Sequence, residues 1–331
     1  MYYKKLRGSL VQCELCPHKC VIKDGNRGIC RVRENREGVL YSLVYGKLCS
    51  ASAEHIEKKP LYHFLPGSLA YSIATVGCNL KCKQCQNYQI SQAKPEDIPS
   101  LNITPKDVVE NAIKNNCRSI AYTFTEPTIF YEMMLDTVKI ARRKGLRNVI
   151  VSNGFINPKP LEELCKYIDG ANIDLKSINP SFYEKICGAR LQPILKALKI
   201  LQKNNVWIEI TNLIIPTLND KTSEIKQLVK WIKNNLRINV PLHFSAFYPC
   251  YQLMNLPATK IEKLHEARKI ALNAGLNYVY TGNLRDEDGS TTYCPKGKKI
   301  AIKRSGFSVI ENNVNKKGIC SCKEKIAGVW K

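Results

Sequence analysis

Between residues 69 and 284, short apolar runs alternate with longer amphipathic segments, and this alternation limits the possible folds more than any other feature. The apolar runs, typical of buried strands, are 71–76, 119–122, 148–151, 170–174, 206–213, 242–247 and 277–280. Helical spacing of apolar residues follows in the segments 104–115, 129–144, 192–203, 221–235 and 259–274. Strands that alternate with helices predict βαβ units and a parallel sheet. With six or seven such units, the sheet either stays open or curls into a full or partial barrel.

The alternating region divides the chain into three zones. Residues 1–67 hold one group of cysteines and few periodic segments, which predicts a small cysteine-rich N-terminal module. Residues 68–284 form the α/β zone, and residues 285–331 return to loops, glycines and cysteines. Polar residues at the ends of the strands are expected to face one common rim, where α/β sheets place their chemistry.

The overall composition indicates a cytoplasmic protein with metal or redox chemistry. No apolar stretch approaches the roughly 20 residues that cross a bilayer, and no secretory signal is evident. Fifteen cysteines in a chain of 331 residues favour metal binding over disulfides in a reducing compartment. The formal net charge of +23 is compatible with nucleic acid, with an acidic donor protein or with a lysine-rich surface.

Three cysteines follow the first strand of the α/β zone in the spacing Cys-x-x-x-Cys-x-x-Cys. They are Cys78, Cys82 and Cys85, and no fourth cysteine is close in sequence. Iron–sulfur clusters are usually held by four cysteines, so three leave one iron open to a ligand that is not protein. The alternatives are a zinc knuckle or structural thiols, but zinc sites usually pair Cys-x-x-Cys with a second pair or with histidines.

Several further motifs occur in a fixed order, and together with the triad they resemble one known family. They are Cys13–Cys20, 56–67, 87–92, Glu126-Pro127-Thr128, 151–154, 172–176, 213–220 and 278–283. The chain resembles radical S-adenosylmethionine (SAM) enzymes of the pyruvate-formate-lyase-activating-like branch, and most closely the radical SAM member of the AmmeMemoRadiSam system. The resemblance implies a partial (β/α) barrel of the TIM type. It also implies a [4Fe-4S] cluster on the triad, whose open iron binds SAM.

The same resemblance implies cofactor contacts on the rim. Glu126, in the motif Thr125-Glu126-Pro127, would bind the SAM amino group, although this chain has threonine and glutamate where relatives have two glycines. The alternative is a surface residue at the end of a strand. Asn153 would contact the SAM ribose or carboxylate, with a simple Asn-Gly turn as the alternative. Asp174 and Lys176 lie on one face of a strand end, which predicts a role toward SAM or substrate.

Two further candidates are equally well explained as core residues. Ile210 corresponds to residues that line the adenine pocket in related enzymes, but an apolar core position is the alternative. His243 would bind SAM or relay a proton if it faces the mouth of the barrel. A lone strand histidine is otherwise a satisfied core residue.

The remaining cysteines form two terminal groups and five isolated residues. Cys13, Cys16, Cys20 and Cys30 make a closed set of four soft ligands, which suits zinc or an auxiliary iron–sulfur cluster. Near the C-terminus, relatives carry two Cys-x-x-Cys knuckles, whereas this chain keeps three cysteines, so a degenerate ribbon without metal and a three-cysteine site both remain open. No ligand role is expected for the isolated residues, which are Cys49, Cys117, Cys165, Cys187 and Cys250.

The function implied is reductive cleavage of SAM to a 5′-deoxyadenosyl radical that abstracts hydrogen from an unidentified substrate. Reduced flavodoxin or ferredoxin would supply the electron, and the other AmmeMemoRadiSam proteins are candidate partners. The alternatives are a glycyl-radical-enzyme activase, an RNA-modifying radical enzyme favoured by the positive charge, and a metal-stabilised binding module without catalysis.

Overall fold

An eight-stranded, mostly parallel sheet forms the centre of the protein. The computed structural model describes residues 1–331. The chain contains the strands β1 (Tyr3–Lys5), β2 (Val11–Cys13), β3 (Val21–Ile22), β4 (Arg33–Arg36), β5 (Val39–Ser42), β6 (Lys47–Leu48), β7 (Ser50–His55), β8 (Leu69–Ala74), β9 (Leu101–Asn102), β10 (Ser119–Tyr122), β11 (Arg147–Ser152), β12 (Gly170–Asp174), β13 (Trp207–Ile214), β14 (Leu242–Ala246), β15 (Val279–Gly282), β16 (Thr292–Tyr293), β17 (Ile300–Ser305) and β18 (Ser308–Asn312). The order of the large sheet is β7-β8-β10-β11-β12-β13-β14-β15.

All seven predicted strands are present, and they pair in parallel in chain order from β8 to β15. Parallel strands in sequential order are the topology of a (β/α) barrel. Here β15 and β8 do not pair with each other, and β7 covers the outer edge of β8 in an antiparallel direction. The predicted partial barrel is therefore confirmed, with an extra edge strand that the sequence pattern did not indicate.

Helices connect the parallel strands. They are α1 (Tyr88–Ser91), α2 (Pro105–Lys114), α3 (Tyr131–Arg143), α4 (Pro158–Leu164), α5 (Pro180–Phe182), α6 (Leu191–Lys203), α7 (Thr222–Asn235), α8 (Ile261–Asn273) and α9 (Glu287–Ser290). The start of α2 shows how sequence fixes a helix end, because Thr104 accepts from the Asp107 amide at 3.2 Å and Asp107 accepts from the Thr104 amide at 2.9 Å. This capping box satisfies two amides that a helix start otherwise leaves free.

Short helices were harder to predict than long ones. The seven-residue helix α4 was not predicted, and its two prolines at positions 158 and 160 disguise its pattern. Two 3-10 helices, Ile56–Lys58 and Pro127–Phe130, and one π-helical turn, Tyr183–Cys187, complete the regular structure. None of the helices combines the length and the apolar character that crossing a bilayer requires.

Smaller sheets occupy both ends of the chain. Strands β1, β2 and β3 form one antiparallel sheet, β4 pairs with β5, and β6 pairs with β9. Near the C-terminus, β16, β17 and β18 form another antiparallel sheet. The boundaries at residues 67 and 284 stay a prediction, and β7 lies on the N-terminal side of the first boundary although it pairs with the barrel sheet.

The amino ends of the barrel strands are closed by residues 56–65 and by the end of the chain. Phe64 is completely buried and packs with Ala70, Ala121 and Val149. A Cβ atom on Gly170 would lie 2.9 Å from the Phe64 ring, so only glycine leaves room for that ring at the start of β12. The backbone amide of Leu65 donates to Val329 at 2.8 Å, which ties the last residues of the chain to the same end.

The closure predicts a large cost for truncating its central ring. Phe64→Ala should lower the free energy of unfolding by about 3–5 kcal/mol, because it removes a fully buried ring and leaves a cavity. Phe307 is 50% exposed, so Phe307→Ala is the matched control, with a change within about 0.5 kcal/mol. Urea unfolding followed by circular dichroism measures both, and equal midpoints for the two variants would contradict this account of the closure.

Candidate metal centre

The cysteine triad lies on the loop that leaves the carboxyl end of β8. Gly77, just before the first cysteine, has a φ of 95°, and a Cβ atom there would lie 2.6 Å from Val32 and 2.9 Å from the Cys30 carbonyl oxygen. Glycine is therefore required both by the backbone conformation and by the close approach of the N-terminal module. Cys82 is buried, and Cys78 and Cys85 are half-buried.

Backbone and side-chain donors fix the sulfur atoms of the triad. The Leu80 amide donates to Cys78 Sγ at 3.4 Å, and Cys85 Sγ lies 3.2 Å from Ser91 Oγ. The side-chain nitrogen of Asn153, Nδ2, lies 3.8 Å from Cys78 Sγ. Donors of this kind stabilise thiolates, which are the form that binds metal.

A fourth cysteine, Cys187, lies against the triad. The proximity of Cys187 raises the pKa of the Cys82 thiol well above its ordinary value. The pairing of backbones explains the contact, because the Lys81 amide donates to the Cys187 carbonyl at 2.9 Å and the Lys83 amide donates to Ile186 at 3.0 Å. The π-helical turn Tyr183–Cys187 brings this distant segment to the loop. The sequence did not indicate this contact, since about 100 positions separate the two cysteines.

Cys250 also approaches the loop. Its thiol donates to the Gln84 carbonyl at 3.3 Å, and the Gln252 amide donates to Lys83 at 3.0 Å. The side chain of Gln84 is buried, and its Oε1 atom has no hydrogen-bond partner within the protein. The triad loop is therefore lined by thiols and amides from three separate parts of the chain.

Glu126 is buried behind the triad and binds four donors. Its Oε1 atom accepts from the Thr128 amide at 3.0 Å, the Thr128 hydroxyl at 2.6 Å and the Ser152 hydroxyl at 2.8 Å. Its Oε2 atom accepts from the Asn153 amide at 2.9 Å. Burial raises the pKa of Glu126, although the four hydrogen bonds favour the carboxylate. The carboxylate thus ties the end of β10 to the end of β11.

Asn153 links this carboxylate to the cysteine loop. Its side-chain nitrogen donates to Asn79 Oδ1 at 2.9 Å, and its side-chain oxygen accepts from the Phe155 amide at 2.8 Å. Asn79 in turn donates to the Phe155 carbonyl at 2.8 Å. The predicted residues Glu126 and Asn153 therefore lie together beside Cys78, and Asn79 is a site residue that the sequence analysis missed.

Phe124, two residues before Glu126, has a φ of 62°, where L-residues are strained and glycine is not. Its carbonyl accepts from the Asn87 side chain at 2.7 Å, and the Lys59 ammonium lies 4.3 Å from its ring centre. These contacts hold the strained residue in place. Strain of this kind clusters at functional sites.

Asp174 and Lys176 lie at the carboxyl end of β12, at the same end of the parallel strands as the triad. The Lys176 ammonium donates to Asp174 Oδ2 at 2.7 Å. Burial is the largest single influence and lowers the pKa of Lys176, but the Asp174 carboxylate together with the thiols of Cys82 and Cys187 outweighs it. The net pKa therefore lies well above its ordinary value, and the side chain stays charged. This pair forms the charged part of the rim.

Ile210 faces the helices instead of the interior of the barrel. It pairs in register with Ile173, whose side chain lies against Gly154 and the helical layer. Ile210 is completely buried in the main apolar core. The structure gives it a core position, which was the alternative to the adenine pocket.

His243 is the second residue of β14 and lies in a buried network, apart from the other candidates. Its Nε2 atom lies 2.7 Å from Glu209 Oε2, and its ring packs edge-on against Tyr62 at 4.8 Å. Glu209 also accepts from the amides of Tyr62 at 2.9 Å and His63 at 2.7 Å. His243 therefore has the position of a hydrogen-bonded core residue, which was the alternative in the sequence analysis, and it does not contact the triad.

Three cysteines of the C-terminal zone form a compact group. The sulfur atoms of Cys294, Cys320 and Cys322 all lie within 4.8 Å of one another, and no other three His, Cys, Asp or Glu side chains in the protein do so. A Cβ atom on Gly297 would lie 2.3 Å from Cys322 Sγ, and the Gly297 amide donates to Cys294 Sγ at 3.2 Å. The group could hold one metal ion, with one position left for a ligand from elsewhere.

The triad fits an iron–sulfur cluster with one open iron. Three thiols are held on one loop by N–H and O–H groups, yet no three sulfur atoms there lie within 4.8 Å of one another, as expected when each binds a different iron. Such a cluster, when it holds SAM, supplies the electron that cleaves the sulfonium bond. The protein residues position the cofactor and exclude water.

Comparisons with known proteins agree with an iron–sulfur cluster on the cysteine triad. Residues 72–232 match the model of the radical SAM superfamily. The chain is 45% identical over 328 residues to the uncharacterized protein MJ0808 of Methanocaldococcus jannaschii, covering 98% of each chain. It is 23% identical over 167 residues to the pyruvate formate-lyase-activating enzyme of Clostridium pasteurianum, covering 48% of this chain and 67% of the relative.

A solved structure shows the same fold. SuiB of Streptococcus suis, bound to the precursor peptide SuiA, matches with a TM-score of 0.52 at 17% identity, over 69% of this chain and 51% of that chain. The chain therefore belongs to the radical SAM superfamily, and it is an enzyme that uses a [4Fe-4S] cluster and S-adenosylmethionine.

Proposed function

We propose that Cys78, Cys82 and Cys85 hold the [4Fe-4S] cluster and that SAM binds at the rim formed by β10, β11 and β12. The observation that carries this proposal is the convergence of one cysteine loop with the carboxyl ends of three neighbouring parallel strands. Open α/β sheets bind their ligands at such carboxyl ends. The bound SAM would supply a 5′-deoxyadenosyl radical for hydrogen abstraction from a substrate.

The side chains of the rim divide into positioning and contact residues. Glu126 and Asn153 are already bound to the protein by hydrogen bonds, and they hold Cys78 and Asn79 in place. Asp174 and Lys176 are less buried, with 34% and 17% of their side chains exposed. We assign the charged contacts with SAM or substrate to this pair, while Ile210 and His243 support the fold.

We further propose that the chain is the radical SAM member of the AmmeMemoRadiSam system and acts in the cytoplasm. The motifs quoted above, in one order along the chain, support this assignment. Its partners would be a reduced flavodoxin or ferredoxin and the other proteins of that system. The assignment would be supported if the reduced enzyme with SAM forms a radical only when another protein of that system is added. Efficient turnover with unrelated substrates would refute it.

A glycyl-radical-enzyme activase is the second candidate, because a relative carries the name pyruvate formate-lyase-activating enzyme. In that case the substrate is a backbone glycine of a large partner enzyme. Incubation of such a partner with this chain, SAM and a reductant should then give a glycyl-radical signal in electron paramagnetic resonance (EPR). Without that signal, the first candidate is favoured.

The positive charge leaves RNA as a third class of substrate. The binding of RNA through phosphates weakens steeply with salt. If transfer RNA does not bind this chain at low ionic strength, the charge of +23 belongs to an ordinary lysine-rich surface and RNA is excluded as the substrate.

The proposal predicts opposite effects at two groups of cysteines. Cys82→Ala should abolish the formation of 5′-deoxyadenosine from SAM, because it removes one of three cluster ligands. Cys320→Ala should leave it largely intact, since Cys320 packs with Tyr278, which precedes β15 at the opposite end of the barrel. Anaerobic assay with SAM and dithionite, with product measured by chromatography, tests both variants. Equal loss in both would refute the separation of the two groups.

The charged pair on the rim predicts a second effect. Lys176→Met should reduce kcat/KM for SAM cleavage by at least about tenfold, or about 1.4 kcal/mol, since it removes a half-buried charge and leaves Asp174 unpaired. Lys185→Met is the matched control, because Lys185 carries the same charge on the exposed side of the neighbouring π-helical turn. Partial recovery in Lys176→Arg would support a charge contact, whereas identical kinetics of Lys176→Met and Lys185→Met would contradict it.

A further inference from the structure

A second set of cysteines surrounds a cavity in the N-terminal module. Cys13 ends β2, Cys16 and Cys20 lie in the turn between β2 and β3, and Cys30 follows Gly28. The Cys13 amide donates to the Cys20 carbonyl at 2.9 Å, which closes the turn. All four side chains line one cavity, together with His18, Asn79 and several apolar residues.

The spacing of the sulfur atoms argues against a single ion in this cavity. Four thiolates on one zinc ion, with Zn–S bonds of about 2.3 Å, lie about 3.8 Å apart. No three of these four sulfur atoms lie within 4.8 Å of one another, whereas the C-terminal group of Cys294, Cys320 and Cys322 meets that limit. The four-cysteine cavity shares the wide spacing of the radical SAM triad, as expected when each thiolate binds a different iron.

A buried cation beside the cavity has an unused hydrogen-bond donor. Arg33 lines the cavity and is only 3% exposed. Its terminal nitrogens bind Glu132 at 3.0 and 2.5 Å, but its Nε–H group has no acceptor within the protein. A buried donor without a partner destabilises the folded protein, so an acceptor in the cavity is expected. The sulfur atoms of an iron–sulfur cluster provide such acceptors.

The cavity directly adjoins the loop of the radical SAM triad. Asn79, which follows Cys78, lines the cavity, and its carbonyl accepts from His18 Nε2 at 2.7 Å. On the other side, the Cys30 carbonyl lies against Gly77, where a Cβ atom would approach it to 2.9 Å. Two direct contacts thus connect the module with residues on both sides of Cys78.

We propose that Cys13, Cys16, Cys20 and Cys30 hold a second [4Fe-4S] cluster, closed by four cysteines, beside the radical SAM site. With no open iron it does not bind SAM, and it carries single electrons. It would accept one electron from a low-potential donor protein such as flavodoxin or ferredoxin and release one electron toward the triad. The electron-carrying role rests on the proposed cluster at Cys78, Cys82 and Cys85, but the presence of the second cluster does not.

Metal analysis of two variants tests the proposal without any activity assay. After anaerobic reconstitution, the full chain should contain about eight iron and eight sulfide. The triad variant, which combines Cys78→Ser, Cys82→Ser and Cys85→Ser, should keep about four of each. So should the four-serine variant, which combines Cys13→Ser, Cys16→Ser, Cys20→Ser and Cys30→Ser. The matched control combines Cys49→Ser and Cys165→Ser at two cysteines outside all groups, and it should keep about eight of each.

The triad variant also tests the closed coordination, and it does so even if the four-serine variant fails to fold. Reduced with dithionite, it should give an EPR signal of a [4Fe-4S] cluster that does not change on addition of SAM. If the triad variant contains no iron and holds about one zinc that the four-serine variant loses, the N-terminal site is a zinc site and the proposal is wrong. If the triad variant loses no iron, the proposed radical SAM site fails instead.

The electron-carrying role has its own test. In the four-serine variant, 5′-deoxyadenosine formation should fall much more with reduced flavodoxin as the donor than with dithionite, which reaches the triad cluster directly. The rate at which reduced flavodoxin is oxidised, followed by its absorbance, should fall in parallel. An equal decrease with both donors would refute the role in electron transfer.

Discussion

The side chain of Asn79 is the contact on which the metal centre depends. It joins the cysteine loop after β8 to Asn153 at the end of β11, while its backbone carbonyl binds His18 of the N-terminal module. The Glu126 carboxylate accepts a hydrogen bond from the backbone amide of Asn153 and so holds Asn153 in place. A loop lacks the ladder of backbone hydrogen bonds that holds a strand in a sheet. A loop that carries metal ligands is therefore flexible unless neighbouring residues hold it. Three separate segments, which contain His18, Glu126 and Asn153, therefore hold the loop that carries Cys78.

The two ends of the barrel have different roles. At the carboxyl ends, the rim contains the cysteine loop and a charged pair. At the amino ends, the Glu209 carboxylate binds His243 and the backbone amide of Tyr62 in a buried hydrogen-bond network. Burial lowers the pKa of His63, in the same network, to about 4, so its ring is neutral at physiological pH. The hydrogen bonds of Glu209 therefore stiffen this end, and the opposite end keeps its ligand atoms available.

Much of the fold could be predicted from sequence because its signals are local. The apolar runs of β8 to β15 and the triad spacing each lie within a few residues. The contact of Cys187 with Cys82 and the pairing of His243 with Glu209 could not be predicted, since each depends on strand register or on an irregular π-helical turn. The edge strand β7 was missed for the same reason, because its small residues pair with β8 only through the tertiary fold.

The three cysteine groups differ in geometry in a way that composition alone does not reveal. The C-terminal group is compact and separated from the rim by the length of the barrel, which suits a single ion that stabilises a small sheet. The triad and the N-terminal group are both widely spaced, and they share Asn79 as a common neighbour. A closed four-cysteine site next to an open three-cysteine site combines two complementary properties. The closed site can exchange electrons without reacting, while the open site can bind a cofactor, and contact between them lets one chain do both.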